Sequence, residues 1–271
     1  MMTRDQLRRT FKDLHQSGCF VIPNPWDAGS ARLLAQLGFR ALATTSSGMA
    51  WSLGYGDHGV PLRDALARVS EIADSVDVPV SVDFEGGFAV DPDEVAANVA
   101  AATATRISGL SIEDSTGDSS QPLFEFDLAV DRIRAARRAI DQAGGDVLLT
   151  GRSEGFIAGR PDLSETIRRL VAYADAGADC LFAPGIRTAS DIEAIVSAVA
   201  PKPVNVVVSS DFTTVSALAD LGVRRISVGG SLARTAFRAA LDAAVEIAEQ
   251  GTFTALARPS RFADINKMLK I

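Results

Sequence analysis

The chain is patterned as short apolar runs separated by longer amphipathic stretches. The runs are Cys19–Asn24, Ala41–Ser46, Val78–Phe84, Gly109–Asp114, Val147–Glu154, Cys180–Gly185, Pro203–Val208 and Arg225–Gly230. Several are almost continuously apolar, as in Val78-Pro79-Val80-Ser81-Val82 and Pro203-Val204-Asn205-Val206-Val207-Val208. Strict alternation marks a strand with one wet face. A continuous run marks a strand buried on both faces, the habit of parallel sheets. The stretches between the runs carry helix punctuation. Asp91-Pro92-Asp93-Glu94 supplies a cap, a first-turn proline and two acids ahead of a helix over Val95–Ala104. Gly177 and Gly222 each end a helix just before a strand. Pro79 and Pro203 open strands, where a missing N–H costs little.

Strand and helix in eightfold alternation, joined by right-handed crossovers, predict an α/β fold, a TIM-type (β/α)8 barrel. An open doubly wound sheet is the alternative, but the first strand ends in Asn24-Pro25-Trp26-Asp27 rather than a glycine-rich dinucleotide turn. The polar N-terminus, with Leu7, Phe11 and Leu14 on one face, reads as an amphipathic helix, and Arg258–Ile271 as one extra helix outside the barrel. With 271 residues and no break in composition, a single domain over 1–271 is expected.

Composition narrows the partners. The net charge is −7 and no basic cluster stands out, which argues against nucleic acid or an anionic membrane surface. No apolar span of membrane length and no signal-peptide core is evident, so a cytoplasmic location is expected. Cys19 and Cys180 sit in apolar runs and read as buried thiols; two cysteines cannot build a multi-cysteine zinc site.

Barrel enzymes carry their chemistry at the C-terminal ends of the strands. Those positions hold Trp26 and Asp27; Thr45, Ser46, Ser47 and Gly48; Asp83 and Glu85; Glu113 and Asp114; Arg152 and Glu154; Asn205; Gly229 and Gly230. Acids ending neighbouring strands repel one another, and a divalent cation such as Mg²⁺ or Mn²⁺ would relieve that. Asp83 and Glu85 are two apart and point the same way on a regular strand. Helix caps, or an ion pair with Arg152, are the structural alternative. Arg152 can grip a carboxylate or phosphate. Thr45-Ser46-Ser47-Gly48 reads as a tight turn with free N–H groups, an anion nest. Gly229-Gly230-Ser231 is equally compatible with a phosphate site and with close packing. His15 reads as a surface residue, and His58 as part of a loop near the mouth. The lysines, Lys12, Lys202, Lys267 and Lys270, do not suit a Schiff base.

Taken in order, these segments resemble the isocitrate lyase/phosphoenolpyruvate mutase superfamily. The resemblance spans Pro23 to Gly251. It is carried by Asn24-Pro25-Trp26-Asp27-Ala28-Gly29-Ser30-Ala31, Ser46-Ser47-Gly48-Met49-Ala50, Leu53-Gly54-Tyr55-Gly56-Asp57, Val82-Asp83-Phe84-Glu85-Gly86-Gly87-Phe88, Ile112-Glu113-Asp114 and Gly151-Arg152-Ser153-Glu154. It implies a Mg²⁺-dependent enzyme acting on a 2-oxo or 2-hydroxy carboxylate through a pyruvate-like enolate. Asp83 would hold the metal, with Asp57, Glu85 and Glu113 acting largely through waters. Backbone N–H groups of Ser47, Gly48 and Met49 would cradle the substrate, Trp26 would wall the pocket, and Arg152 would bind the substrate, with Asn205 as a further binding candidate. Arg152, Glu113, Tyr55 and His58 are the candidates for the chemistry, with Asp118 and Glu125 as further proton carriers. The resemblance also implies a homo-oligomer, a dimer or a tetramer, that exchanges the helix at about Ser231–Glu249 together with the tail.

The chain departs from that pattern after Glu113-Asp114. The carbon–carbon lyases carry Lys-Lys-Cys-Gly-His there. This chain reads Ser115-Thr116-Gly117-Asp118-Ser119-Ser120-Gln121-Pro122-Leu123-Phe124-Glu125-Phe126. Three functions stay open: a carbon–carbon lyase or oxaloacetate-type decarboxylase, a phosphonate P–C bond enzyme, and a non-catalytic 2-oxo-acid-binding protein.

Overall fold

The computed structural model describes residues 2–257 and 262–269. Eight parallel strands form a nearly closed barrel: β1 (Phe20–Ile22), β2 (Leu42–Ala43), β3 (Val80–Asp83), β4 (Gly109–Glu113), β5 (Leu148–Arg152), β6 (Cys180–Phe182), β7 (Val204–Val207) and β8 (Arg225–Ser227). Each lies inside one of the apolar runs, so the TIM-type α/β reading holds. The strands follow one another round the ring, and β8 pairs in parallel with β1, Phe20 opposite Arg225 and Ile22 opposite Ser227. Between β1 and β2 the ladder thins to one bond, from the Ala43 N–H to the Pro23 carbonyl at 3.1 Å. Asn24 reinforces this seam. Its Nδ2 donates to the Thr44 carbonyl, while its Oδ1 accepts from the N–H groups of Val228 and Gly229.

Helices alternate with the strands: α2 (Ala28–Gln36), α3 (Ser46–Ser52), α4 (Leu62–Asp74), α5 (Pro92–Thr103), α6 (Phe126–Gln142), α7 (Leu163–Asp175), α8 (Ala189–Val199), α9 (Val215–Asp220) and α10 (Ser231–Gln250). The predicted punctuation is in place. Asp91 caps α5 by accepting from the N–H groups of Asp93 and Glu94, with Pro92 in the first turn. Gly177 and Gly222, at φ 106° and 82°, follow α7 and α9. The main core lies between strands and helices and is built from Val, Ile, Leu and Ala with Phe84 and Tyr173.

The predicted N-terminal helix, α1 (Arg4–Leu14), closes the bottom of the barrel. Phe11 and Leu14 pack with Phe20, Ile22, Ala41, Leu148 and Cys180. Gly109 is required here: a Cβ would come within 2.7 Å of the Phe11 ring. His15, expected at the surface, is instead buried behind this plug. The helical pattern placed it one turn beyond Phe11, and only the three-dimensional docking of α1 turns that position inward.

The extra C-terminal helix is present as α11 (Phe262–Leu269) and packs against α2; the rest of the predicted Arg258–Ile271 segment lies outside the described residues. α10 is 20 residues long, yet Ala233 is its one buried side chain. Leu232, Phe237, Leu241, Val245 and Ile247 are exposed along it. Among the described residues no helix is long and apolar enough to cross a membrane.

Candidate active site

The C-terminal ends of the strands open on a cavity of about 320 Å³. At its centre Arg152, the last residue of β5, meets three carboxylates. One terminal nitrogen lies 3.1 Å from Asp83 and 3.2 Å from Glu113, and Nε donates to Glu154. The register makes this unavoidable, since Glu113 and Arg152 are direct neighbours across the β4–β5 ladder. The Phe182 ring backs the guanidinium at 5.3 Å. Asp83 is fixed from several sides. Its N–H donates to Thr44 Oγ1, and its carboxylate accepts from the Ser46 N–H and the Ser46 hydroxyl, the latter at 2.8 Å.

Too many acids share this space for Arg152 to neutralise. Burial pushes the Glu113 carboxyl up to about 8, and Glu154 and Asp83 add to the rise although Arg152 opposes it. Burial raises Glu154 as well. Arg152 is held charged, well above its ordinary value: burial opposes the charge, and Glu113, Glu154 and Asp83 together outweigh it.

Glu85 does not stand beside Asp83 as a regular strand would place it. β3 ends at Asp83, and Glu85 takes a left-handed backbone at φ 48°, which turns it toward His58. His58 Nδ1 lies 3.2 Å from Glu85 Oε2, and that bond lifts the imidazole to about 9. His58 (φ 59°) and Phe88 (φ 57°) are also left-handed, so the strained non-glycine residues cluster on the loops around this mouth.

The predicted residues divide as follows. Asp57, His58, Asp83, Glu113, Arg152, Ser47 and Asn205 line the cavity. Glu85 lies behind His58, in an adjoining pocket. Trp26, Gly48, Met49 and Tyr55 do not line the cavity: Met49 packs in a small core with Ala50, Val60 and Ala65, and Tyr55 is 41% exposed. The expected tight turn at Thr45–Gly48 is the first turn of α3, which uses most of the N–H groups assigned to a substrate cradle. Ser46 donates to Asp83, Gly48 to Thr45 Oγ1 and Met49 to the Thr45 carbonyl. Gly48 serves packing, because a Cβ there would meet Thr45, Ala233 and Trp26 at 2.8 to 3.0 Å. Packing also accounts for Gly230, whose Cβ would lie 2.8 Å from Ser47 Oγ, and the Gly229 N–H is already bound to Asn24.

The donor set suits a hard divalent cation. Asp57, Asp83 and Glu113 offer oxygen to the cavity, and Asp83, Glu113 and Glu154 outnumber the single arginine they surround. Among the described residues, no three ligating side chains converge as a finished metal site. Asp83 is engaged with Arg152 and Ser46, and Glu85 with His58.

Comparison with known proteins agrees with this geometry. The family model described as phosphoenolpyruvate phosphomutase matches residues 11–248. The chain belongs to the phosphoenolpyruvate phosphomutase family. This places it in the isocitrate lyase/phosphoenolpyruvate mutase superfamily. It is 34% identical to an uncharacterized protein of Mycobacterium tuberculosis (strain ATCC 25618 / H37Rv) over 222 residues, 81% of each chain. It is 31% identical to the oxaloacetate decarboxylase of Paraburkholderia xenovorans over 202 residues, 72% of this chain and 66% of that one. A solved structure, of a candidate lyase/mutase from Burkholderia cenocepacia, superposes with a TM-score of 0.94 at 44% identity and covers 97% of this chain and 96% of its own.

In this member of the phosphoenolpyruvate phosphomutase family, the segment after β4 is anchored by a network that sequence reading did not find. Asp114 accepts from the Tyr173 hydroxyl at 2.6 Å, from Arg169 at 3.1 Å and from the Glu154 N–H at 2.7 Å. Arg169 also donates to the Phe124 carbonyl. The loop therefore leaves and returns at one fixed point, and Ser115 pairs with Leu123 across its base. Tyr173 and Arg169 occupy ordinary buried-face positions of α7, so spacing alone gave no sign of this role. Glu154 and Asp114 were visible as strand-end acids, but their partners were not.

Proposed function

We propose that the chain is a divalent-metal-dependent enzyme that acts on a 2-oxo or 2-hydroxy carboxylate through a pyruvate-like enolate, as a carbon–carbon lyase or an oxaloacetate-type decarboxylase. The observation that carries this reading is the cluster of Asp83, Glu113 and Glu154 around Arg152 at the barrel mouth. Asp83 would hold Mg²⁺ or Mn²⁺, with Asp57, Glu85 and Glu113 in support, and the bound ion would offset negative charge on the enolate oxygens. Arg152 lies 3.1 Å from Asp83 and is suited to gripping the substrate carboxylate. His58, its pKa lifted to about 9 by the bond to Glu85, holds a proton near neutral pH and is the group at the mouth best suited to returning one to the enolate carbon.

Incubation with Mg²⁺ and oxaloacetate or methylisocitrate is expected to yield pyruvate above the metal-only blank, and Asp83→Ala to abolish the excess. No excess with either substrate sinks the reading. The same proposal includes a homo-oligomer, a dimer or tetramer, supported by the exposed apolar stripe of α10. Light scattering on the purified chain is expected to give a multiple of 28.5 kDa; a monomer at micromolar concentration overturns that part.

A further inference from the structure

Below the mouth the same cavity reaches the barrel axis, where its floor is an arginine, Arg225. Arg225 opens β8 and is 5% exposed. Its Nε donates to Asn205 Oδ1 and one terminal nitrogen donates to Thr150 Oγ1, each at 3.0 Å. The other terminal nitrogen lies 3.3 Å from His15 Nε2. His15 Nδ1 sits 2.7 Å from the Phe11 carbonyl oxygen, so Nδ1 carries the hydrogen and Nε2 is the acceptor. Burial and Arg225 push this imidazole down to about 3, and it is neutral. Burial raises the nearby Cys180 thiol, which is neutral too. Among the described residues no carboxylate forms an ion pair with Arg225. Arginine does not shed its proton inside a protein, so a bare positive charge remains on the barrel axis.

The walls of this well are equally unusual. Barrel interiors are normally filled by branched apolar side chains. Here Ser81, Ser111, Asn205 and Ser227 line the space above Arg225. The guanidinium has more N–H donors than its three partners accept, and it borders open volume. Thr150 and Arg152 are two residues apart on β5, about 6.6 Å along the strand. The floor cation, bonded to Thr150, thus lies one short step below the Arg152 cluster, a step that a small dicarboxylate can span.

We infer that Arg225 is a specificity-determining residue: it seats the second carboxylate of a short dicarboxylate whose reacting end lies at the mouth. The inference rests on reading the mouth as a 2-oxo-acid site, and it goes further by stating which acids fit. A monocarboxylate leaves the floor charge unanswered, whereas a dicarboxylate neutralises it.

Calorimetric titration in chloride-free buffer with Mg²⁺, using oxalate, succinate and butyrate as probes, tests it. Oxalate reports on the mouth alone. Succinate and butyrate have the same length and differ by one carboxylate. The wild-type chain is expected to bind succinate about tenfold or more tighter than butyrate, and Arg225→Met to bring that ratio near one while oxalate binding is retained. A wild-type ratio near one overturns the proposal, and so does a ratio that survives in a folded Arg225→Met variant. Circular dichroism checks the fold. Should the methionine variant not fold, the wild-type ratio still decides, and Arg225→Lys is expected to keep part of it. If oxalate fails to bind while the succinate preference holds, the reading of the mouth falls and the seat at Arg225 stands.

Discussion

Two arginines lie a strand step apart on the barrel axis, and they keep opposite company. Arg152 is surrounded by Asp83, Glu113 and Glu154, which hold it charged well above its ordinary value. Among the described residues Arg225 has only neutral partners, and burial pulls it below its ordinary value. The upper charge is over-compensated, so its carboxylates can turn to a cation and its guanidinium to a substrate without stranding a charge. The lower one is uncompensated and fixed, held in place by side chains with no charge to exchange. The mouth is built to rearrange, the floor to wait.

The largest expected effect that sharpens this contrast comes from deleting each cation in turn. Arg152→Met leaves buried Glu113 and Glu154 and half-buried Asp83 without their counter-charge and is expected to cost about 3–5 kcal/mol in urea unfolding near neutral pH. Arg225→Met strands acceptors but no charge, and about 1–3 kcal/mol is expected. Equal losses, or a larger one at Arg225, break the comparison.

A smaller effect is expected from pH. The folded Glu113 carboxyl sits at about 8 against an ordinary 4.5, so the folded chain holds that proton more tightly than the unfolded one. The associated stability is fully present below about 4.5 and is lost as pH rises through about 8. Chelator-treated protein is therefore expected to weaken steadily across this window, and Glu113→Gln to flatten the slope. Because Glu154, also raised by burial, titrates beside the same arginine, the curve belongs to the pair rather than to one acid. A stability that climbs with pH across the window contradicts the assignment.

Much of this was legible in the sequence. Parallel strands buried on both faces leave continuous apolar runs, and all eight were readable from that trait. Their C-terminal ends then gave Asp83, Glu113 and Arg152 directly, because strand register converts sequence position into place. Legibility ended where backbone regularity ended. Glu85 lies past the last residue of β3 and turns away in a left-handed conformation, so the two-residue spacing misled. The Thr45–Gly48 segment looked like a tight turn because its helix lasts only to Ser52. His15 and Arg225 are 210 residues apart, and no local pattern announces that they touch. Tyr173, which pins Asp114 from α7, looks like any buried aromatic on an amphipathic helix.

The uneven ladder round the barrel distributes the work of closing a ring. The first and last strands, some two hundred residues apart in the chain, are joined by three register pairs and by the Asn24 bonds to Val228 and Gly229. The first and second strands, linked by a short stretch of polypeptide, share one backbone bond. Bringing distant ends together carries the greater loss of chain freedom. Of the two seams beside the first strand, the one without a short covalent link thus carries the fuller ladder, while at the other the polypeptide itself acts as the hoop.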